Sequence, residues 1–133
     1  MFDLVWKLLL LVALVFIIVK RAGIVALFAK YKYSKGDYNG ALKIFRIADK
    51  VGNLGIGDKI LFGYNCLRCG ELAAAKNVFS MAYMLSKPAS ADRFRIMSLQ
   101  ALVAWKEGDI ELAVGKLEDV YNCLLYTSPS PRD

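Results

Sequence analysis

A short phrase recurs three times along this chain: a glycine, an acid, a hydrophobic residue, and an alanine in sixth place. The copies are Gly36-Asp37-Tyr38-Asn39-Gly40-Ala41, Gly70-Glu71-Leu72-Ala73-Ala74-Ala75 and Gly108-Asp109-Ile110-Glu111-Leu112-Ala113. The first two begin 34 residues apart and the third begins 38 later. A period of that size belongs to stacked helical hairpins, each too small to bury its apolar face alone. Such arrays offer extended surfaces to other proteins, so the phrase constrains the class of function as well as the fold.

Each phrase lies between two helix-length amphipathic segments. Glycine accepts the left-handed conformation that closes a helix, so Gly36, Gly70 and Gly108 each predict a C-terminus. The acid that follows falls at the start of the next helix, where its charge opposes the positive end of the dipole. The alanine leaves room for the second helix to approach the first. Nine and twelve residues after each glycine stand Phe45 and Ala48, Phe79 and Ala82, Leu117 and Val120. These extend a stripe expected to be buried along the second helix of each pair. Helices are expected over 2–19, 22–35, 37–51, 56–69, 71–86, 91–107 and 109–125. Gly52, Gly55 and Gly57 break the chain between the first two pairs, and Pro88 breaks it between the next two. The glycine-rich stretch lacks dinucleotide spacing and a preceding strand, so it reads as a linker.

The runs Gly36-Asp37-Tyr38-x-x-Ala41-x-x-x-Phe45-x-x-Ala48 and its counterpart over 70–82 resemble the tetratricopeptide repeat family. Seven residues before each glycine that family prefers a small residue, and Ala29, Gly63 and Ala101 stand there. The resemblance covers roughly residues 22–121. The first copy departs at Lys32, where the family favours a large aromatic. The third departs at Gln100 and carries extra residues in the Ser86–Arg93 connection around Pro88. The resemblance implies an α-solenoid of about three helix-turn-helix repeats that mediates protein–protein contact.

The first twenty residues follow another rule. Leu8 to Val19 is an unbroken apolar run, and counting from Phe2 gives 18 residues, or about 27 Å of helix. That length spans a bilayer with slight thinning, provided Lys7 snorkels to the interface beside Trp6. No small-residue cleavage pattern follows the run, which argues against a signal peptide. A core helix would not usually be apolar on every face. The expectation is a single transmembrane anchor. Residues 1–35 hold six Lys or Arg against Asp3 alone, which accounts for +5 of the total charge of +6. Most of that charge follows the apolar run, so the N-terminus is expected outside and the repeats on the cytoplasmic face. The same collar makes membrane lipid a partner. Basic charge gathered in this way is not the footprint of a nucleic-acid-binding fold, and no nucleic-acid partner is expected.

The chain has no histidine, which removes His-based triads and most zinc sites. Cys66-Leu67-Arg68-Cys69 lies at the C-terminal end of a helix, where the dipole opposes a thiolate, so both cysteines read as structural. Asp109-Ile110-Glu111 and Glu118-Asp119 pair acids without a nucleophile beside them and read as a solvated face. The chain is therefore expected to be no enzyme, with no catalytic residue, no metal and no cofactor.

In the resembling family the first helix of each repeat lines the concave groove. One face of those helices carries Lys30, Tyr33, Ile60, Tyr64, Leu67, Arg68, Arg95, Leu102, Trp105 and Lys106. That aromatic and basic set without an acid suits an extended peptide bearing acidic groups. The peptide-groove candidates are Lys30, Tyr33, Tyr64, Arg68, Arg95, Trp105 and Lys106. The family's two-carboxylate clamp places asparagine where Tyr64 stands, so that mode of recognition is not expected.

The last eleven residues, Cys123 to Asp133, have no repeat pattern and resemble the translation of a sequencing-library adapter. Three regions are expected: an anchor and basic flank over 1–21, repeats over 22–55, 56–89 and 90–122, and a non-native tail over 123–133. A repeat array ends in a cap with a polar outer face, and none is visible, so the natural chain is expected to be cut in or just after the second helix of the third repeat, with further repeats or another domain missing. The reading reached is a membrane-anchored scaffold or adaptor. The alternative is the N-terminal fragment of a larger enzyme or signalling protein.

Overall fold

A computed structural model describes residues 1–127 of the chain; residues 128–133, most of the adapter-like tail, lie outside the described residues. Among the described residues the regular structure is entirely helical. The helices are α1 (Phe2–Val19), α2 (Arg21–Ser34), α3 (Tyr38–Val51), α4 (Ile56–Arg68), α5 (Leu72–Leu85), α6 (Ala91–Lys106) and α7 (Ile110–Thr127). The periodicity placed each within about two residues, the usual fraying range of helix ends. The chain divides into two compact units, Met1–Gly55 and Ile56–Asp133.

In the first unit α1 is exposed along its whole length and long and apolar enough to cross a membrane. Only Lys20 separates it from α2, and helical hydrogen bonding nearly runs through: Lys20 N–H donates to Phe16 O and Ile24 N–H to Lys20 O. Helices α2 and α3 then pack as a hairpin. Ala22, Ala26 and Ala29 are buried on α2, and Ala41, Leu42, Phe45 and Ala48 on α3. The small residues let the two backbones approach, and the large ones fill what remains. Arg21, a member of the basic collar, also donates from Nε to the Val51 carbonyl at the end of α3. Arg21 thus helps to close the hairpin.

In the second unit α4 packs on α5 and α6 on α7, while α6 also packs against α5 and α4. Ile60, Phe62, Gly63, Cys66 and Leu67 of α4 are buried, as are Ala75, Phe79 and Ala82 of α5. Ile96, Met97, Ala101, Val103 and Ala104 of α6 are buried too. Burying a phenylalanine such as Phe79 contributes about 1.5–3 kcal/mol. Cys66 belongs to this core, as its place on the stripe with Phe62 and Gly63 implies.

The three glycine phrases fold alike. Gly36, Gly70 and Gly108 have φ of +85, +79 and +87°, the left-handed region. In each turn the glycine N–H donates three residues back, to Tyr33, Leu67 and Trp105 O. The acid's N–H donates five residues back, to Lys32, Cys66 and Ala104 O. This double closure satisfies carbonyls that a helix end otherwise leaves open. The acid then turns to the next helix. Asp37 Oδ1 accepts from Gly40 N–H at 3.0 Å, and Asp109 Oδ1 from Leu112 N–H at 3.2 Å. At Asp37 and Asp109 one residue therefore ends one helix through its backbone and begins the next through its side chain, a stronger local constraint than the dipole alone, whereas Glu71 makes no side-chain cap hydrogen bond.

The third copy corrects one expectation. Leu117 is exposed and Val120 half-buried on α7, whereas the corresponding Phe79 and Ala82 are buried. The stripe is present, but among the described residues no helix covers it.

The long connection between α5 and α6 is held by an arginine. Arg93 donates from Nε to Ser86 Oγ at 2.9 Å and from Nη2 to the Ser86 and Tyr83 carbonyls at 2.9 and 3.1 Å. Its guanidinium lies 4.3 Å from the Tyr83 ring centroid. These contacts satisfy carbonyls at the end of α5, while Ser90 caps α6 by accepting from Arg93 N–H at 3.2 Å. Between them Ala89 takes φ of +58°, a strained conformation for a residue with a Cβ.

Candidate functional site

Helices α4 and α6 of the second unit bring two of the expected groove residues together. Tyr64, half-buried on α4, and Arg95, exposed on α6, line an open cavity of about 410 Å³ with Gly57, Ile60, Leu61 and Leu99. Gly57 and the aliphatic side chains form an apolar floor, and the phenol and guanidinium stand on its walls. One helical turn beyond Tyr64, the Arg68 guanidinium lies 5.8 Å from the Tyr64 ring centroid. That is the outer limit of a cation–π contact, so the two side chains share a face of α4 without locking each other.

The acid-free character expected of this surface is incomplete. Arg95 Nη1 lies 3.6 Å from Asp92 Oδ1, one turn earlier on α6. Both side chains are substantially exposed, so the pair contributes little to stability and an incoming anion can compete for the guanidinium. Leu67 is buried rather than presented, while Ile60 contributes to the cavity floor.

Trp105 lies elsewhere. It is exposed at the end of α6 and lines a second cavity of about 380 Å³ with Ser98, Ala101, Leu102, Ile110, Ala113, Val114 and Leu117. Lys106 follows it, also exposed. The tertiary structure thus divides the expected set between the α4–α6 surface and the α6–α7 surface. Trp105 and Arg95 share a helix, but the helix turns them to different neighbours.

Lys30 and Tyr33 belong to α2 in the first unit, and both are half-buried. The Tyr33 ring packs edge-on to Tyr38, with centroids 5.0 Å apart and planes at 69°. Tyr38 is the hydrophobic residue of the first glycine phrase, so this contact ties the end of α2 to the beginning of α3.

Two residues important here have no sequence motif. Arg93 ends the connection around Pro88, and its role follows from a reach of ten residues back to Tyr83. Asn65, beside Tyr64, is fully buried and points away from solvent. Its Oδ1 lies 3.8 Å from Cys69 Sγ, and its Nδ2 has no hydrogen-bond partner among the described residues. An alternation of half-buried Tyr64 with inward Asn65 is legible from helical phase, but the unsatisfied amide is not. No protein-family model, curated protein or solved structure matches this chain.

Proposed function

We propose that this chain is a membrane-anchored scaffold whose tetratricopeptide-like helical hairpins hold an acidic, extended peptide segment of another protein on the cytoplasmic face. The observation that carries the reading is the cavity between α4 and α6. Tyr64 and Arg95, from different helices, flank an aliphatic floor, with Arg68 above the Tyr64 ring. An aromatic anchor with adjacent guanidinium groups suits a segment that alternates apolar and carboxylate side chains. Three identically closed helical turns and the paired packing of α4–α5 and α6–α7 support the array reading. The near-continuous passage from α1 through Lys20 into α2 supports a short tether, which would keep the first hairpin close to the lipid surface. The charge asymmetry supports the cytoplasmic orientation.

The test uses the full chain in lipid nanodiscs and a set of extended peptides that carry Asp or Glu around an aromatic or aliphatic residue. Tyr64→Ala and Arg95→Ala are each expected to weaken binding about tenfold, with a loss of affinity at high salt that Arg95→Ala reduces. Binding that is unchanged by both substitutions refutes the groove. For topology, Ser34→Cys provides an exposed thiol beyond the anchor. Its labelling in intact cells by a membrane-impermeant reagent refutes the cytoplasmic orientation.

A further inference from the structure

The last helix presents an ordered apolar seam. Ile110, Val114, Leu117 and Tyr121 follow one another at spacings of four, three and four residues, and they are 60, 48, 52 and 63% exposed. That is the spacing by which one helix packs along another. All four precede Cys123, where the adapter-like segment begins. The seam is continuous with the cavity that Leu102 and Trp105 of α6 complete, and Trp105 is itself 62% exposed. Together α6 and α7 form a trough with an apolar base.

In the preceding hairpin the corresponding residue is closed off. Phe79 of α5, one repeat before Leu117, is fully buried with its ring against Gly63 of α4, and α5 also packs against α6. A rim ion pair joins those helices, Lys76 Nζ to Glu107 Oε2 at 3.8 Å. The trough on α6–α7 has the same apolar character without a helix over it among the described residues.

Charge distinguishes which helix fits. Along the edge of the seam remote from α6, one residue on from Ile110 and from Leu117, stand Glu111 and Glu118, both exposed. Two copies of α7 laid antiparallel would set these glutamates against each other. An antiparallel second copy of this chain is therefore disfavoured by its own rim. On the opposite edge Lys106 follows Trp105 along α6.

We infer that the α6–α7 trough is a docking site for an amphipathic helix of a partner protein, one with an apolar three-four stripe and Lys or Arg along the flank that faces Glu111 and Glu118. This site is separate from the extended-peptide cavity at Tyr64 and Arg95 and does not depend on it. The helix lays its stripe on Val114, Leu117 and Trp105, and its basic flank pairs with the two glutamates. The apolar contact supplies the affinity, and the rim selects the partner and its rotation.

The probe is a synthetic amphipathic helix with leucines at three-four spacing and lysines on one flank, compared with the same peptide carrying glutamates on that flank. Binding is read from Trp105 fluorescence of the full chain carrying Trp6→Phe, in zwitterionic nanodiscs, with empty nanodiscs subtracted. The lysine peptide is expected to bind about tenfold tighter than the glutamate peptide, from two rim pairs formed against two like-charge contacts. Glu111→Lys with Glu118→Lys should invert that preference, and Leu117→Asp should abolish binding of both peptides while leaving Tyr64-dependent binding of acidic extended peptides intact. Equal affinity for the two peptides, or no binding of either, overturns the inference. A dimer of the full chain that Leu117→Asp dissociates also overturns it, because the occupant is then a second copy.

Discussion

At Gly63 of α4 the Phe79 ring of α5 fills the space that a side chain would take, and Gly63→Ala tests the packing of the second unit directly. A Cβ at Gly63 would lie 2.5 Å from Phe79 Cε1 and 2.9 Å from Cδ1 and Cζ. Carbon atoms in contact sit about 3.5–4.0 Å apart, so the ring would have to retreat by roughly 1 Å. Phe79 is fully buried. Overpacking of this kind costs about 1–3 kcal/mol, while alanine in a helix interior gains about 1 kcal/mol over glycine. The net expectation is a loss of up to about 2 kcal/mol. Gly57→Ala in the same helix is the control, since a Cβ there meets nothing within 4 Å. It should be neutral or stabilising by up to about 1 kcal/mol. The assay is urea unfolding of the full chain in mild detergent, followed by far-UV circular dichroism. Phe79→Leu removes the offending ring atoms, so in the Gly63→Ala background it should cost about 1–2 kcal/mol less than in the wild type. If Gly63→Ala is more stable than the wild type, or the two changes simply add, the reasoning about this crossing is wrong.

Three further outcomes follow from the same structure. Arg93→Ala removes three charged hydrogen bonds and a ring contact at the end of α5, and should destabilise by about 2–3 kcal/mol in the same titration, with Arg93→Lys recovering little because an ammonium lacks the fork that reaches Ser86 and Tyr83 together. Ala89→Gly relieves a left-handed alanine and should stabilise by up to about 1 kcal/mol; a loss of stability would show that the strain is not real. Asn65→Leu removes a buried amide whose Nδ2 is unpaired, so it should be neutral or raise the unfolding midpoint, whereas a loss above about 1 kcal/mol would mean that the amide is satisfied after all.

What was legible without a structure was local. The left-handed glycines, the helix spans and the apolar first helix depend on hydrogen bonds and periodicities that act within about five residues. Asp37, Glu71 and Asp109 could accordingly be placed at helix starts, although the back-bond from each acid's N–H to the carbonyl five residues earlier appears only in the geometry. Buried alanines at 29, 41, 75, 101 and 113 also follow from local phase, because a small residue repeated at one register marks a helix crossing.

The tertiary structure decided everything that depends on a neighbouring helix. Leu117 carries the same pattern as Phe79, yet one is exposed and the other buried, since burial is set by what packs above the stripe and not by the stripe itself. Tyr64 and Arg95 share a cavity while Trp105 belongs to another, because residues on one helix diverge by 100° per position and meet different partners. Arg93 became a clasp through a contact ten residues back, a distance that helical periodicity does not encode. The sequence by itself determined the helices, their turns and the apolar span at the N-terminus. Only packing determined which faces of those helices are closed and which remain open to bind.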